Sequence, residues 1–292
     1  MHATGTPSAI TAARSRVTTG ESVERSLVPA VALEPWIADV RVMSVAASPE
    51  RVMTRLPSGT TSLVLCARPG RVAELVVAGP NLHASYKRAS SVPLYARFTF
   101  RPGAARSFFD LAVHELAGRI VPIGDLWRDG VDALHGGLAR SDGTFDDVVR
   151  ILEAALVARL HAYRVDVSRS LLAGRAVRAI DAGALDRGSM RALAAQLGVS
   201  ERHLRQVFLE AMGIPPKRYA RIARIRRVVA RAGTASWAQL AIEMGFYDQA
   251  HLHAEFSELL GITPRAFLTT LAAKAQLLKG SRTVGSDGEE SR

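Results

Sequence analysis

The chain has 292 residues, a net charge of +11, 48% hydrophobic residues and a single cysteine. That is enough apolar material for buried cores in two domains, and one cysteine excludes an internal disulfide. No run of 18 apolar residues suggests a membrane span, and the N-terminal segment lacks the continuous apolar stretch of a secretory signal, so the cytoplasm is the expected location.

The charge is unevenly spread. Residues 161–282 carry 19 Lys and Arg against 9 Asp and Glu, a net +10, whereas residues 1–160 carry 18 against 15, a net +3. A basic segment beside a near-neutral one points to a polyanionic partner for the basic part.

Residues 1–30 are rich in Ser, Thr, Ala and Gly without periodicity and are expected to form a disordered arm. From Leu33 to Arg101 the signals are those of strands. TTSLVLCA (60–67) and RVAELVVAG (71–79) are apolar runs around the turn-forming RPG. Cys66 sits in the first run, where a buried structural thiol is expected. PLYARFTFR alternates strictly. Leu94, Ala96, Phe98 and Phe100 point one way, lining a plain core or, less favoured, a small-molecule pocket; Tyr95, Arg97 and Thr99 point the other. Short helical segments are expected through LAVHELAGRI and IGDLW. FDDVVRILEAALVARLHAY (145–163) repeats its apolar residues at three and four, an amphipathic helix that packs on its own sheet or serves dimerisation.

Beyond Val165 only helical periods remain, and they contain a repeat. Leu193, Ala194 and Gly198 recur 47 residues later as Leu240, Ala241 and Gly245. Leu204, Phe208, Gly213, Ile214 and Pro216 recur 48 residues later as Leu252, Phe256, Gly261, Ile262 and Pro264. Each copy reads as helix, tight turn, helix. Ser189 and Ser236 are N-cap candidates for the first helices, Ser200 and Asp248 for the second. This is the layout of a helix-turn-helix unit, whose second helix enters the DNA major groove.

On the second helix of the first unit, Leu204, Val207, Phe208 and Ala211 face inward. Arg202, Arg205, Gln206 and Leu209 face outward. Arg suits guanine and Gln suits adenine in bidentate geometry, so Arg202, Arg205 and Gln206 are the candidate base readers. The second unit presents Ala250, His253, Ala254 and Ser257, with Gln249 in the first turn. Gln249 and His253 are its candidate base contacts, while Glu255 and Glu258 are expected to weaken its attraction to DNA. Ser200, Lys217, Arg218 and Arg265 are candidates for the DNA backbone. Between the units, PPKRYARIARIRRVVARAG carries an apolar stripe of Ile222, Ile225, Val228 and Val229 among seven basic residues, and reads as one long helix joining them.

These residues carry a resemblance. LAAQLGVSERHLRQVFLEAMGIPPKRY, the joining helix and LAIEMGFYDQAHLHAEFSELLGITPRAF together resemble the DNA-binding domain of AraC/XylS-type transcriptional regulators over residues 165–270. The resemblance implies a seven-helix, two-headed domain that binds double-stranded DNA and activates transcription through RNA polymerase. Gln206 and Ala254 stand where the family often has Arg. RLPSGTTSLVL, FTFRPGAARSFF and IVPIGDLW resemble the sensor-type domain that precedes this module in one subgroup. That resemblance implies a cupin-like domain and names no effector.

The expected fold is α+β: a disordered arm (1–30), a mainly-β sensor or regulatory domain with flanking helices (31–162), an all-α DNA-binding domain (163–272) and a disordered tail (273–292). The expected function is sequence-specific transcriptional regulation, with a small-molecule effector or self-association as homodimer handled by the N-terminal half. The rival is a DNA-coating protein of low specificity, governed by salt. An enzyme fused to a DNA-binding module ranks last. The sequence holds no Gly-x-Ser-x-Gly, Walker loop or dinucleotide fingerprint after a strand. His251 and His253 lie about 200° apart on a helix and cannot share a metal; His83, His114 and His135 lack metal-site spacing. No catalytic residue, cofactor or metal is therefore expected.

Overall fold

The computed structural model describes residues 23–45, 52–67, 74–88, 92–109, 111–127, 129–160 and 167–270. The alternation over PLYARFTFR becomes strand β7 (Val92–Phe100). It lies inside an antiparallel sheet with β1 (Val23–Leu27), β2 (Ile37–Val45), β4 (Ser62–Ala67), β5 (Glu74–Ala78) and β8 (Ile120–Pro122), in the order β1-β2-β7-β4-β5-β8. A separate two-stranded ribbon pairs β3 (Val52–Arg55) with β6 (Ser85–Arg88). The RPG turn lies outside the described residues, but the strands flanking it pair from Ser62–Ala78 to Cys66–Glu74.

Two expectations for this half are corrected. The arm expected over residues 1–30 is a strand from Val23 onward. VERSL is short and half polar, and as an edge strand it exposes Glu24 and Ser26 while Leu27 packs on the core. Cys66 is free but only half-buried, because the pleat turns it away from the core face that takes Leu63 and Leu65. The part of the tail expected at residues 273–292 lies outside the described residues.

The core face of the sheet carries Val40, Val42, Leu63, Val77, Ala96 and Phe98, each fully buried. Phe100 packs at 5.0 Å from Phe108 and 5.3 Å from Phe109, and the Trp127 indole donates to the Phe108 carbonyl at 2.8 Å. Helices α1 (Val131–Ala139) and α2 (Phe145–Leu160) close this core, with Leu134, Val148, Leu152 and Leu156 buried in it. The apolar stripe of α2 is thus covered within its own domain. The Leu94–Phe100 face is core, as favoured. Within LAVHELAGRI a single 3-10 turn forms at Val113–Leu116, and Ile120 starts β8 instead of continuing a helix.

The second half contains α3 (Val167–Asp181), α4 (Met190–Gln196), α5 (Glu201–Met212), α6 (Pro216–Arg231), α7 (Trp237–Glu243) and α8 (Gln249–Leu260), followed by a helical stretch at 264–270. Its start signals are local and work as such. Ser189, Ser200, Ser236 and Asp248 each accept a hydrogen bond from the backbone N–H three residues on, and Ser236 with Gln239 completes a capping box. Gly198 and Gly245 both adopt φ near +75°, a turn that a Cβ would strain.

The linking helix α6 is shared between two cores. Tyr219, Ala220, Ile222 and Ala223 join Leu193, Leu204 and Phe208 in the first head. Ile225 and Val228 join Leu240, Leu252 and Phe256 in the second. Phe208 and Phe256 are both fully buried, and truncating either to Ala should cost about 3–5 kcal/mol. Sixteen residues make α6 about 24 Å long.

The halves are joined through the ribbon and its approach. Leu82 and Ala117 pack on the first head, Leu56 and Ala84 on the second. A Cβ on Gly59 would sit 2.3 Å from the Tyr219 ring, so only glycine permits this approach. The end of α5 packs on the 3-10 turn at Val113–Leu116.

Candidate nucleic-acid interface

In each head, the second helix lies with one face in its core and the other in solvent. On α5, Leu204, Val207 and Phe208 are buried, while Arg202, Arg205, Gln206 and Leu209 are exposed and with Glu201 line a shallow open recess. The three candidate base readers of the first head therefore share one surface.

They differ in their present partners. The Arg205 guanidinium donates from Nε at 3.0 Å and from Nη2 at 2.5 Å to Glu201 Oε1. Gln206 Nε2 donates to Glu210 Oε1 at 3.1 Å, and Glu210 also takes the Arg169 guanidinium. Arg202 has no ion pair among the described residues and is exposed. Exposed pairs one helical turn apart contribute about 0.3–0.5 kcal/mol, so a base edge can displace them.

On α8, Gln249, Ala250 and Ala254 are exposed and His253 is partly covered. His253 packs edge-on to Trp237 at 5.8 Å, and its Nε2 lies 3.4 Å from Gln249 Nε2. The two candidate base contacts of the second head thus touch each other.

Glu255 departs from expectation. It is buried, not turned to solvent, and accepts from Arg221 Nε at 2.8 Å; the same guanidinium donates from Nη2 to Glu258 at 2.6 Å. The hydrogen bond from Arg221 holds the Glu258 carboxyl below the usual carboxylate range. One arginine of α6 pairs with both acids, which leaves the three side chains together with one net negative charge.

The arginines of α6 now divide. Arg221 binds Glu255 and Glu258, Arg227 binds Asp186 at 2.7 Å with Arg224 3.5 Å away, and Arg231 binds Glu243. These are structural. Asp186 lies between α3 and α4, and the adjacent Arg187 donates to the Ile242 carbonyl at 2.5 Å. That loop braces the second head against the first. Lys217, Arg218 and Arg226, by contrast, are exposed and have no ion pair among the described residues. Lys217 and Arg218 occupy the first turn of α6, where unbonded backbone N–H groups add to their attraction for phosphate. Arg265 is likewise exposed without an ion pair. Ser200 holds the N-terminus of α5 through its bond from the His203 N–H at 3.2 Å.

Tyr219 ties α6 to α3, donating to Asp181 Oδ1 at 3.0 Å. Burial, reinforced by that carboxylate, raises the phenol above its ordinary value, and burial also raises Asp181.

Tyr247 was missed by pattern reading. It stands 92% exposed in the turn just before α8, where the first head has Val199. A large ring in solvent beside a reading helix is the signal, and only its exposure distinguishes it from core.

This geometry is that of two helix-turn-helix heads on one shared helix. The family model described as a helix-turn-helix domain matches residues 193–270. That region is a helix-turn-helix domain. No curated protein matches the chain. Among solved structures it is similar to a transcriptional regulator with an AraC-type DNA-binding domain from Chromobacterium violaceum. The two are 24% identical over 35% of this chain and 93% of that one, with a TM-score of 0.32. It is also similar to the C-terminal domain of AraT, a response regulator from Geobacillus stearothermophilus (18% identity, 34% and 84% coverage, TM-score 0.32), and to ToxT from Vibrio cholerae (11% identity, 85% and 96% coverage, TM-score 0.37). No helix among the described residues is long and apolar enough to cross a membrane.

Proposed function

We propose that this protein is a sequence-specific transcriptional regulator, an activator that places α5 and α8 in successive major-groove segments of one DNA duplex. In this reading Arg202, Arg205 and Gln206 read bases in the first half of the site. Gln249 and His253 contact bases in the second, where short side chains leave α8 mainly a positioning role. Ser200, Lys217, Arg218 and Arg265 hold the phosphate backbone. The N-terminal β domain senses a small molecule, and RNA polymerase is the downstream partner.

The observation that carries this reading is the asymmetry of two matched heads. Both are capped and packed alike, but α5 alone turns two arginines and a glutamine to solvent on one surface. The test is selection of bound sequences from a random duplex pool, followed by Arg202→Ala. The variant should lose about 1–3 kcal/mol on the selected site and relax preference at one position. A uniform loss on every sequence would favour the rival, a DNA-coating protein governed by salt.

A further inference from the structure

Gln206 is held from behind. Its Nε2 donates to Glu210 Oε1 at 3.1 Å, one helical turn along α5. The other oxygen of that carboxylate, Oε2, takes the Arg169 guanidinium of α3 at 2.5 Å. The Arg205 pair with Glu201 is different, because both its members stand on α5 and both line the recess. Glu210 is half-buried and anchored from a second helix, where α3 packs against α5. One arginine and one carboxylate cancel, so the anchor adds no net charge beside the DNA.

Donor and acceptor chemistry gives this contact a direction. A carboxylate only accepts, so the nitrogen end of the Gln206 amide must face Glu210. One of the two amide N–H groups is then engaged. What remains for a base edge is one N–H and the carbonyl oxygen. Adenine offers the complement in the major groove, the N7 acceptor and the N6 donor. Guanine offers two acceptors, N7 and O6, and a free glutamine can turn both N–H groups to them. A glutamine held by Glu210 cannot, whereas adenine leaves the Glu210 bond in place. Closing the groove over this bond excludes water and strengthens it.

We infer that Glu210, anchored by Arg169, is a positioning residue that sets the specificity of the first head: it fixes the Gln206 amide so that this side chain selects adenine and rejects guanine. The inference rests on the reading of Gln206 as a base contact and adds to it two residues that act through Gln206.

The test uses the full chain and two duplexes at one salt concentration. One is the sequence selected from a random pool. The other has guanine in place of the adenine whose preference Gln206→Ala removes. Fluorescence anisotropy gives the Kd of each, and their ratio is the readout. Loss of a carboxylate near DNA strengthens both alike and cancels in the ratio. Glu210→Ala should lower the preference for adenine about three- to tenfold. Glu210→Gln keeps the size but not the acceptor-only chemistry. Arg169 donates only, so it claims the single carbonyl oxygen of the new side chain, whose NH2 group then faces Gln206 and turns that amide over. Its ratio should fall at least as far. In the Gln206→Ala background neither change should move the ratio. A packing role for Glu210 would survive the isosteric change and would act without Gln206. A ratio kept by Glu210→Gln, or lost independently of Gln206, therefore overturns the inference, as does a Gln206-dependent position that prefers any base but adenine. If Gln206→Ala changes preference at no position, the base-reading assignment fails and takes the inference with it. If Gln206→Ala erases the adenine preference while both Glu210 variants keep it, the inference alone fails.

Discussion

The last turn of α8 offers a sharp test of how the two halves cooperate. A helix leaves its final carbonyls without internal partners. In α8 those of Glu258, Leu259 and Leu260 meet His83 Nδ1 at 3.2 Å, the Ala84 N–H at 2.8 Å and the Tyr86 hydroxyl at 2.6 Å. The cap of the second reading helix thus comes from the N-terminal domain. Tyr86→Phe deletes one of these bonds and keeps the ring. A net hydrogen bond is worth about 0.5–1.5 kcal/mol, and because Leu260 is fully buried its carbonyl gains little water in exchange. Amides in α8 should therefore lose protection roughly two- to tenfold in native-state hydrogen exchange. Those in α5, whose end packs on the separate turn at Val113–Leu116, should stay unchanged. Equal loss in both helices, or none in α8, would refute the idea that the ribbon caps α8 locally.

Other outcomes follow from the same geometry. Asp186→Ala strips the shared carboxylate from Arg224 and Arg227 and should cost about 3 kcal/mol, read by urea unfolding; an unchanged midpoint would mean that the loop does not brace the heads. Lys217→Ala, Arg218→Ala and Arg265→Ala should each flatten the log–log salt dependence of DNA binding by about 0.9 without changing sequence preference. Glu153 accepts from the Ala30 N–H at 2.7 Å, and burial raises its carboxyl above the usual value. A carboxyl so raised contributes its full stability below the ordinary glutamate value and loses it as pH rises through the raised one. Glu153→Gln keeps the accepting oxygen, so it should melt higher than the natural protein at neutral pH, with the difference vanishing in acid. A difference independent of pH would rule out that cause.

The two heads were legible in the sequence because their signals act over a few residues. A serine caps the N–H three positions on, a glycine permits one turn, and an apolar residue recurs every three or four places. Those rules produced both helix pairs, the linking helix and the outward position of Arg202, Arg205 and Gln206. Partnership was not legible. Whether an α6 arginine meets phosphate or carboxylate depends on Asp186, Glu243, Glu255 and Glu258, which lie on other elements, and Glu255 turned inward because Arg221 awaited it there. The short strand β1 needed β2 beside it to be a strand at all. The bond from Tyr86 to Leu260 spans 174 residues of chain. Contacts of that range leave no periodic mark, so only the tertiary structure could decide them.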